Sequence, residues 1–221
     1  MGMLEELYEP DKKRLNVIIA GQPGSGKSFF IERTLSGYLT KTKDEYLRVI
    51  YISPKHETIL DLEPIPSEKL EKHLQKNRVA VIMPGMDFID DEVDYVIDTM
   101  FALRASNPKL KSVIVIDDSQ VFLSSRRDAS PSLKRLTLTG RSMNIRAVFV
   151  SHAIILNKAL EGAVQYILNF TLPQPMFFKD AQRRYGFDPE PYQEQLRDKP
   201  YGYVFHDVTK GVTRLMEPID P

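Results

Sequence analysis

The sequence contains no cysteine among its 221 residues. That excludes a disulfide framework, a thiolate metal site and a cysteine nucleophile, and it permits a reducing compartment. Net charge is missing too. Thirty Lys and Arg balance 30 Asp and Glu, so contact with a polyanion has to come from local clustering. Long apolar runs are also lacking. Val113–Ile116 and Ala147–Val150 are strand-sized, far short of the ~20 residues that span a bilayer. Met1 to Arg14 is mixed and charged, so no signal peptide or membrane anchor is expected and the chain should be soluble unless a partner holds it at a membrane. Four scattered histidines without carboxylate or thiol partners at ligand spacing do not form a zinc site. Internal repeats and low-complexity tracts are absent.

What remains is an ordinary globular composition, 42% hydrophobic and 27% charged. The length suits one domain, residues 1–221, with the first thirteen residues as a polar lead-in. Short apolar, β-branched runs punctuate the chain: Leu15–Ala20, Arg48–Ser53, Val79–Met83, Ser112–Ile116, Arg146–Val150 and Tyr166–Leu172. Helical spacing separates them, over Lys27–Leu39, Ser67–Gln75, Asp90–Leu103 and Phe177–Tyr185, and a loop and helix run from Ser119 to about Leu138. Gly202–His206 and Val212–Met216 read as a terminal hairpin around Lys210-Gly211. The expected fold is α/β: a mainly parallel central sheet flanked by helices, with a C-terminal antiparallel edge hairpin.

The first strand runs directly into Gly21-Gln22-Pro23-Gly24-Ser25-Gly26-Lys27-Ser28. Gly21, Gly26, Lys27 and Ser28 satisfy G-x-x-x-x-G-K-[ST], the P-loop pattern, in its strand-to-helix context. Glycines let main-chain N–H groups converge on phosphate oxygens, and the helix N-terminus adds positive potential. Gly21, Gln22, Pro23, Gly24, Ser25, Gly26, Lys27, Ser28 and Phe29 are therefore the expected nucleotide-binding set, for ATP with Mg²⁺. Lys27 reaches the β- and γ-phosphates and Ser28 ligates the metal. The bland alternative is a Gly-rich turn, which rarely carries all four residues at this spacing.

Val113–Asp118 (VIVIDD) has the form of a Walker B element. Its strand carries Asp117 to the edge where ligands bind in open α/β sheets. Asp117 is expected to serve Mg²⁺ and Asp118 to orient or deprotonate the attacking water; an acidic pair at a strand end can also be plain turn chemistry. After the fifth strand, His152 can donate a hydrogen bond to a γ-phosphate or be a loop histidine. Between Ser119 and Ser151 six basic residues, Arg126, Arg127, Lys134, Arg135, Arg141 and Arg146, face only Asp128. They form either a footprint for phosphates or a solvated face. Arg141 is expected near the nucleotide edge of the sheet, where it could act on a neighbour's γ-phosphate. The acidic helix Asp87–Asp98 is read as a solvated face or a subunit contact.

The order of elements, a P-loop, two strands, VIVIDDSQ, LTLTGRSMNIRAVFVSHA, YILNFTL, then YGYVFHD and a return strand, resembles the FtsK–HerA superfamily of DNA-pumping ATPases. The size and spacing look most like the genome-packaging ATPases of internal-membrane icosahedral viruses, including poxvirus-type and archaeal-virus-type members. The resemblance implies a ring, commonly a hexamer, threading double-stranded DNA, with nucleotide between subunits and a trans-acting arginine: Arg141, or Arg126, Arg127 or Arg146. It implies a capsid vertex or portal partner, and a location in the host cytoplasm and on the virion, or simply in the cytoplasm if the protein is not viral. His152 stands where that family typically places Gln, and Asp118 where cellular members favour Glu. Three other readings come into view, and two of them remain open. A small-acceptor P-loop kinase would have Arg183 and Arg184 in its lid. A nucleotide-binding assembly or regulatory protein would turn over slowly. A filamentous-phage export ATPase usually carries a membrane span and so drops.

Overall fold

A computed structural model describes residues 3–11, 16–55, 58–121, 128–154, 158–172 and 174–219. In chain order the elements are α1 (Met3–Tyr8), β1 (Asn16–Ala20), α2 (Lys27–Lys41), β2 (Leu47–Ile52), α3 (Leu70–Leu74), β3 (Val79–Ile82), α4 (Ile89–Ser106), β4 (Lys111–Ile116), α5 (Pro131–Thr139), β5 (Ile145–Ser151), β6 (Val164–Asn169), α6 (Met176–Tyr185), α7 (Gln193–Asp198), β7 (Tyr203–Asp207) and β8 (Val212–Met216). The strands form one eight-stranded sheet in the order β3-β2-β4-β5-β1-β6-β7-β8. The first six pair in parallel, and β7 and β8 add an antiparallel edge.

The strands look continuously hydrophobic because both faces are covered. Alternate residues divide between two cores. Ile18, Ile50, Ile114 and Phe149 pack beneath α3 to α7. Val17, Val49, Val113 and Val148 pack beneath α1 and α2. At the start of α2 an aromatic cluster fixes the helix on the sheet: the Phe30 ring lies 4.8 Å from Tyr203 and 5.6 Å from Phe170, edge-on to both.

The expected polar lead-in is corrected in part. Residues 3–8 are helical, and Leu7 and Tyr8 are fully buried. Tyr8 and Thr34 share a hydrogen bond of 2.7 Å between their hydroxyls. Glu9 accepts from Tyr38 (2.7 Å) and Lys111 (3.4 Å), and its carbonyl accepts from Arg146. The segment lacks a helical sequence signal because its order comes from these tertiary contacts. The sixth strand starts and stops earlier than expected, at Val164–Asn169; Phe170 just beyond it still donates its N–H to Ala20 O (2.8 Å) and joins the aromatic cluster on the face of Tyr166 and Leu168. The acidic helix α4 is partly a scaffold contact: Asp94 and Asp98 accept hydrogen bonds from Ser130 and Ser132 at the start of α5.

Candidate active site

Parallel strands deliver their C-terminal ends to one edge of a sheet, and ligands bind there. Here that edge holds the turns after β1, β2, β4 and β5. The loop after β1 is pinned from behind: Gly21 N–H donates to Ser151 O (3.2 Å) and Gln22 N–H to Thr171 O (2.7 Å). Gly24 (φ 75°) and Gly26 (φ 94°) are left-handed. A Cβ at Gly24 would point into open space, whereas one at Gly26 would come within 2.6 Å of the Tyr201 ring. Gly26 is the N-cap of α2 and has no side-chain cap. The first N–H groups of α2 are thus left for an external acceptor, the arrangement that receives an anion.

A cavity of about 380 Å³ opens over this loop, lined by Pro23, Gly24, Gly26, Lys27, Ser28 and Phe29 together with Lys55, Asp117, Asp118 and His152. Gln22 and Ser25 lie on the other side of the loop, in a second cavity of about 300 Å³ shared with Thr171, Arg197, Pro200 and Tyr201. Lys27 is 8% exposed, and its ammonium donates to Gly21 O (2.7 Å) and Gln22 O (2.9 Å). Burial holds it below the ordinary lysine range, with nearby Asp117 opposing.

The two carboxylates differ sharply. Asp117 is buried; its Oδ1 accepts from Asp118 N–H (2.9 Å) and its Oδ2 from the Tyr51 hydroxyl (3.3 Å). Burial pushes its carboxyl above the usual range, against the pull of Lys55. Asp118 adopts φ 47°. Its Oδ1 accepts from Gln120 (3.2 Å) and faces His152 Nε2 (3.2 Å), and its Oδ2 pairs with Lys55 (3.2 Å). Burial pushes this carboxyl up as well, but the Gln120 and Lys55 hydrogen bonds outweigh it, and the net shift is downward.

These groups suit magnesium. Among the described residues no cluster of three or more His, Cys, Asp or Glu could hold a metal by itself, and the cavity offers one hydroxyl (Ser28) and a buried carboxylate (Asp117). Mg²⁺ is commonly held by one or two protein oxygens, with phosphates and water completing its shell.

The structure thus gathers Lys27, Ser28, Phe29, Asp117, Asp118 and His152 around one cavity. It does not bring Arg141 there. Arg141 sits in the 3₁₀ turn Gly140–Met143, before β5 begins. Ser112 pairs with Ile145 at that end of the sheet, while Ser151 pairs with Ala20 at the site end. Arg141 therefore lies at the opposite edge from this chain's phosphate loop, which corrects the expectation that it sits at the nucleotide edge. Arg146 is 1% exposed and lies over the Tyr166 ring, so it is a core residue and cannot reach a neighbour. Arg126 and Arg127 lie outside the described residues. Arg183 and Arg184 pair with Asp180 and Glu161 and line neither cavity, so this structure does not place the arginines of the kinase reading over the nucleotide loop. Lys55 and Gln120 went unassigned in the sequence.

No protein-family model matches the chain. By sequence it is 24% identical over 164 residues to the DNA translocase FtsK of Mycobacterium tuberculosis, a match covering 63% of this chain and 19% of that one; the chain thus spans about a fifth of that relative. By structure it aligns with B204, the DNA-packaging ATPase of Sulfolobus turreted icosahedral virus, at a TM-score of 0.74 and 16% identity, covering 96% of this chain and 100% of the other. The B204 genome-packaging NTPase of Sulfolobus turreted icosahedral virus 2, in complex with ATP-γS, aligns at 0.72 and 15% identity, covering 96% and 99%. No helix among the described residues is long and apolar enough to cross a membrane. The chain has the P-loop ATPase fold of those archaeal-virus enzymes, and the FtsK–HerA resemblance read from its motifs is the likeness that both comparisons return.

Proposed function

We propose that this protein is a Mg²⁺-dependent ATPase that moves double-stranded DNA, working as a ring and packaging a viral genome into a preformed capsid. One observation carries the reading: an uncapped α2 N-terminus, Lys27, Ser28 and the Asp117-Asp118 pair share a single cavity. In that arrangement the loop amides and Lys27 bind the β- and γ-phosphates. Ser28 and Asp117 would hold magnesium, whose charge would offset the negative charge on the terminal phosphoryl group. Asp118 accepts a proton from the attacking water, and His152 orients Asp118. The likeness to FtsK and to the packaging ATPases supports DNA as the polymer moved.

The test is phosphate release, with and without double-stranded DNA, on a sample of measured oligomeric mass. Magnesium-dependent turnover that rises with DNA is expected. Turnover that responds to a nucleoside acceptor and not to DNA would replace the motor with a phosphotransferase. Tight nucleotide binding without turnover would leave a regulatory protein, a reading that gains weight from the three groups already engaging Asp118.

A further inference from the structure

The cavity holds two lysines, and the P-loop pattern accounts for only one. Lys27 is fixed between two carbonyls of its own loop. Lys55 arrives from β2, three places from β1 in the sheet, and so approaches the cavity from its far side. Its backbone is anchored: Ser53 is buried, takes its own N–H to Ile82 O (3.0 Å), and accepts from Lys55 N–H (3.3 Å) through its hydroxyl. The side chain beyond that anchor is 39% exposed, with Nζ 3.2 Å from Asp118 Oδ2 and 3.9 Å from Asp117 Oδ2.

That position conflicts with the work assigned to both carboxylates. A divalent cation on Asp117 and an ammonium beside the same oxygen repel each other. A carboxylate engaged by an ammonium is also a poorer proton acceptor than a free one. Both conflicts end if Lys55 moves to another anion within reach of its flexible stem. In this cavity that anion is the terminal phosphate: Lys27 and the loop amides approach the phosphate chain from the β1 side, and the far side of its last group faces Lys55.

We propose that Lys55 reads the terminal phosphate, exchanging its ion pair with Asp118 for one with the third phosphate of a nucleoside triphosphate and so freeing Asp118 to take a proton. A diphosphate offers no such partner, so Lys55 makes the site discriminate triphosphate from diphosphate and couples that choice to the state of the base. The inference rests on reading the cavity as a magnesium–triphosphate site.

Calorimetric titration of the intact chain with Mg-ADP and with the Mg complex of β,γ-methylene-ATP tests it. The wild type should bind the triphosphate analogue more tightly than ADP. Lys55→Met should hold or gain affinity for Mg-ADP, since the repulsion of the magnesium is removed, while losing about tenfold or more in analogue affinity, the usual scale for one charge-assisted contact. Lys55→Arg should recover most of the preference, and Lys55→Gln should repeat the loss should the methionine variant fold poorly. A preference unchanged in Lys55→Met and Lys55→Gln, or equal losses for both ligands, overturns the role of Lys55 while leaving the nucleotide site intact. A wild type that binds neither ligand overturns the site itself.

Discussion

Replacing Asp117 by Asn should remove activity and stabilise the fold together. The Asp117 side chain is 6% exposed, and burial has already pushed its carboxyl above the usual range, so its charge opposes folding at neutral pH. Lys55 offsets this only in part. At 3.9 Å and an effective dielectric near 20 the attraction would be about 4 kcal/mol; with Lys55 39% exposed it falls to about 1 kcal/mol. Lys55 also keeps its closer partner, Asp118. The amide can replace the carboxylate locally, its oxygen accepting from Asp118 N–H and its NH₂ donating to the Tyr51 hydroxyl. Removing a buried functional charge under these conditions should gain on the order of 1 kcal/mol, or about 2–4 °C in Tm for a chain of this size.

The pH dependence has a definite sign. A carboxyl whose folded pKa is raised carries no penalty while both states are protonated. The penalty appears as pH rises through the folded value. The gain from Asp117→Asn should therefore be largest near pH 7–8 and vanish as pH falls toward the ordinary aspartate value of 3.8. Thermal melts of both proteins at several pH values, with phosphate release at pH 7.5, make the measurement. Turnover should fall by about 10²-fold or more, since a charged ligand of the metal is lost. A variant that melts below the wild type at neutral pH, or that keeps its turnover, refutes the reasoning.

Three further outcomes follow from the same geometry. Asp118→Asn should keep nucleotide binding and lower turnover by about 10²–10⁴-fold, the range for a lost general base; Asn tolerates the left-handed backbone at φ 47°, so an active, folded variant would move the base elsewhere. Tyr8→Ala should cost about 3–5 kcal/mol by leaving a cavity, and Tyr8→Phe only about 1 kcal/mol, because the Thr34 hydroxyl keeps Phe30 O as an acceptor; equal Tm losses in denaturation would contradict the packing assigned to α1. Arg141→Ala should leave nucleotide affinity within about twofold by calorimetry, since exposed surface changes act weakly and Arg141 stands before β5 at the edge away from this chain's loop.

Much of the fold was legible because the physics is local. Runs such as VIVI and AVFV are β-branched or apolar on both faces, which only a doubly covered sheet accommodates, and the phosphate loop declares itself by residue type and spacing. The order of strands was not legible, since no local signal says that β4 and β5 lie between β2 and β1. Helix α1 was missed because its six residues are too short to show a period, and Leu7 and Tyr8 become informative only against α2. Lys55 carried no motif, being a single lysine after a strand-ending proline. One rule could have found it and corrected Arg141 as well. In a parallel sheet, residues that follow a strand share the ligand edge, and residues that precede one lie at the other edge. Position 55 follows β2 and position 141 precedes β5.

The same rule leaves one arrangement unexplained until the backbone is considered. Consecutive residues of an extended strand point to opposite faces of a sheet, yet Asp117 and Asp118 line the same cavity. The strand ends at Ile116, and Asp118 takes φ 47°, a left-handed turn that swings its carboxylate back toward the side of Asp117. This backbone costs about 1–2 kcal/mol for most side chains and less for Asp, whose short polar side chain can bond locally. The contacts that offset this are local: the Asp117 carboxylate takes the Asp118 N–H, Gln120 and His152 meet Asp118 Oδ1, and Lys55 meets Oδ2. A glycine would relieve the strain and lose the carboxylate. An extended residue would keep the carboxylate and aim it at the wrong face. The turn is therefore what allows one strand end to present two adjacent acids to one cavity; under the proposed function the buried Asp117 would serve the metal, and the less buried Asp118, kept ionised by Gln120 and Lys55, would take a proton once Lys55 leaves it.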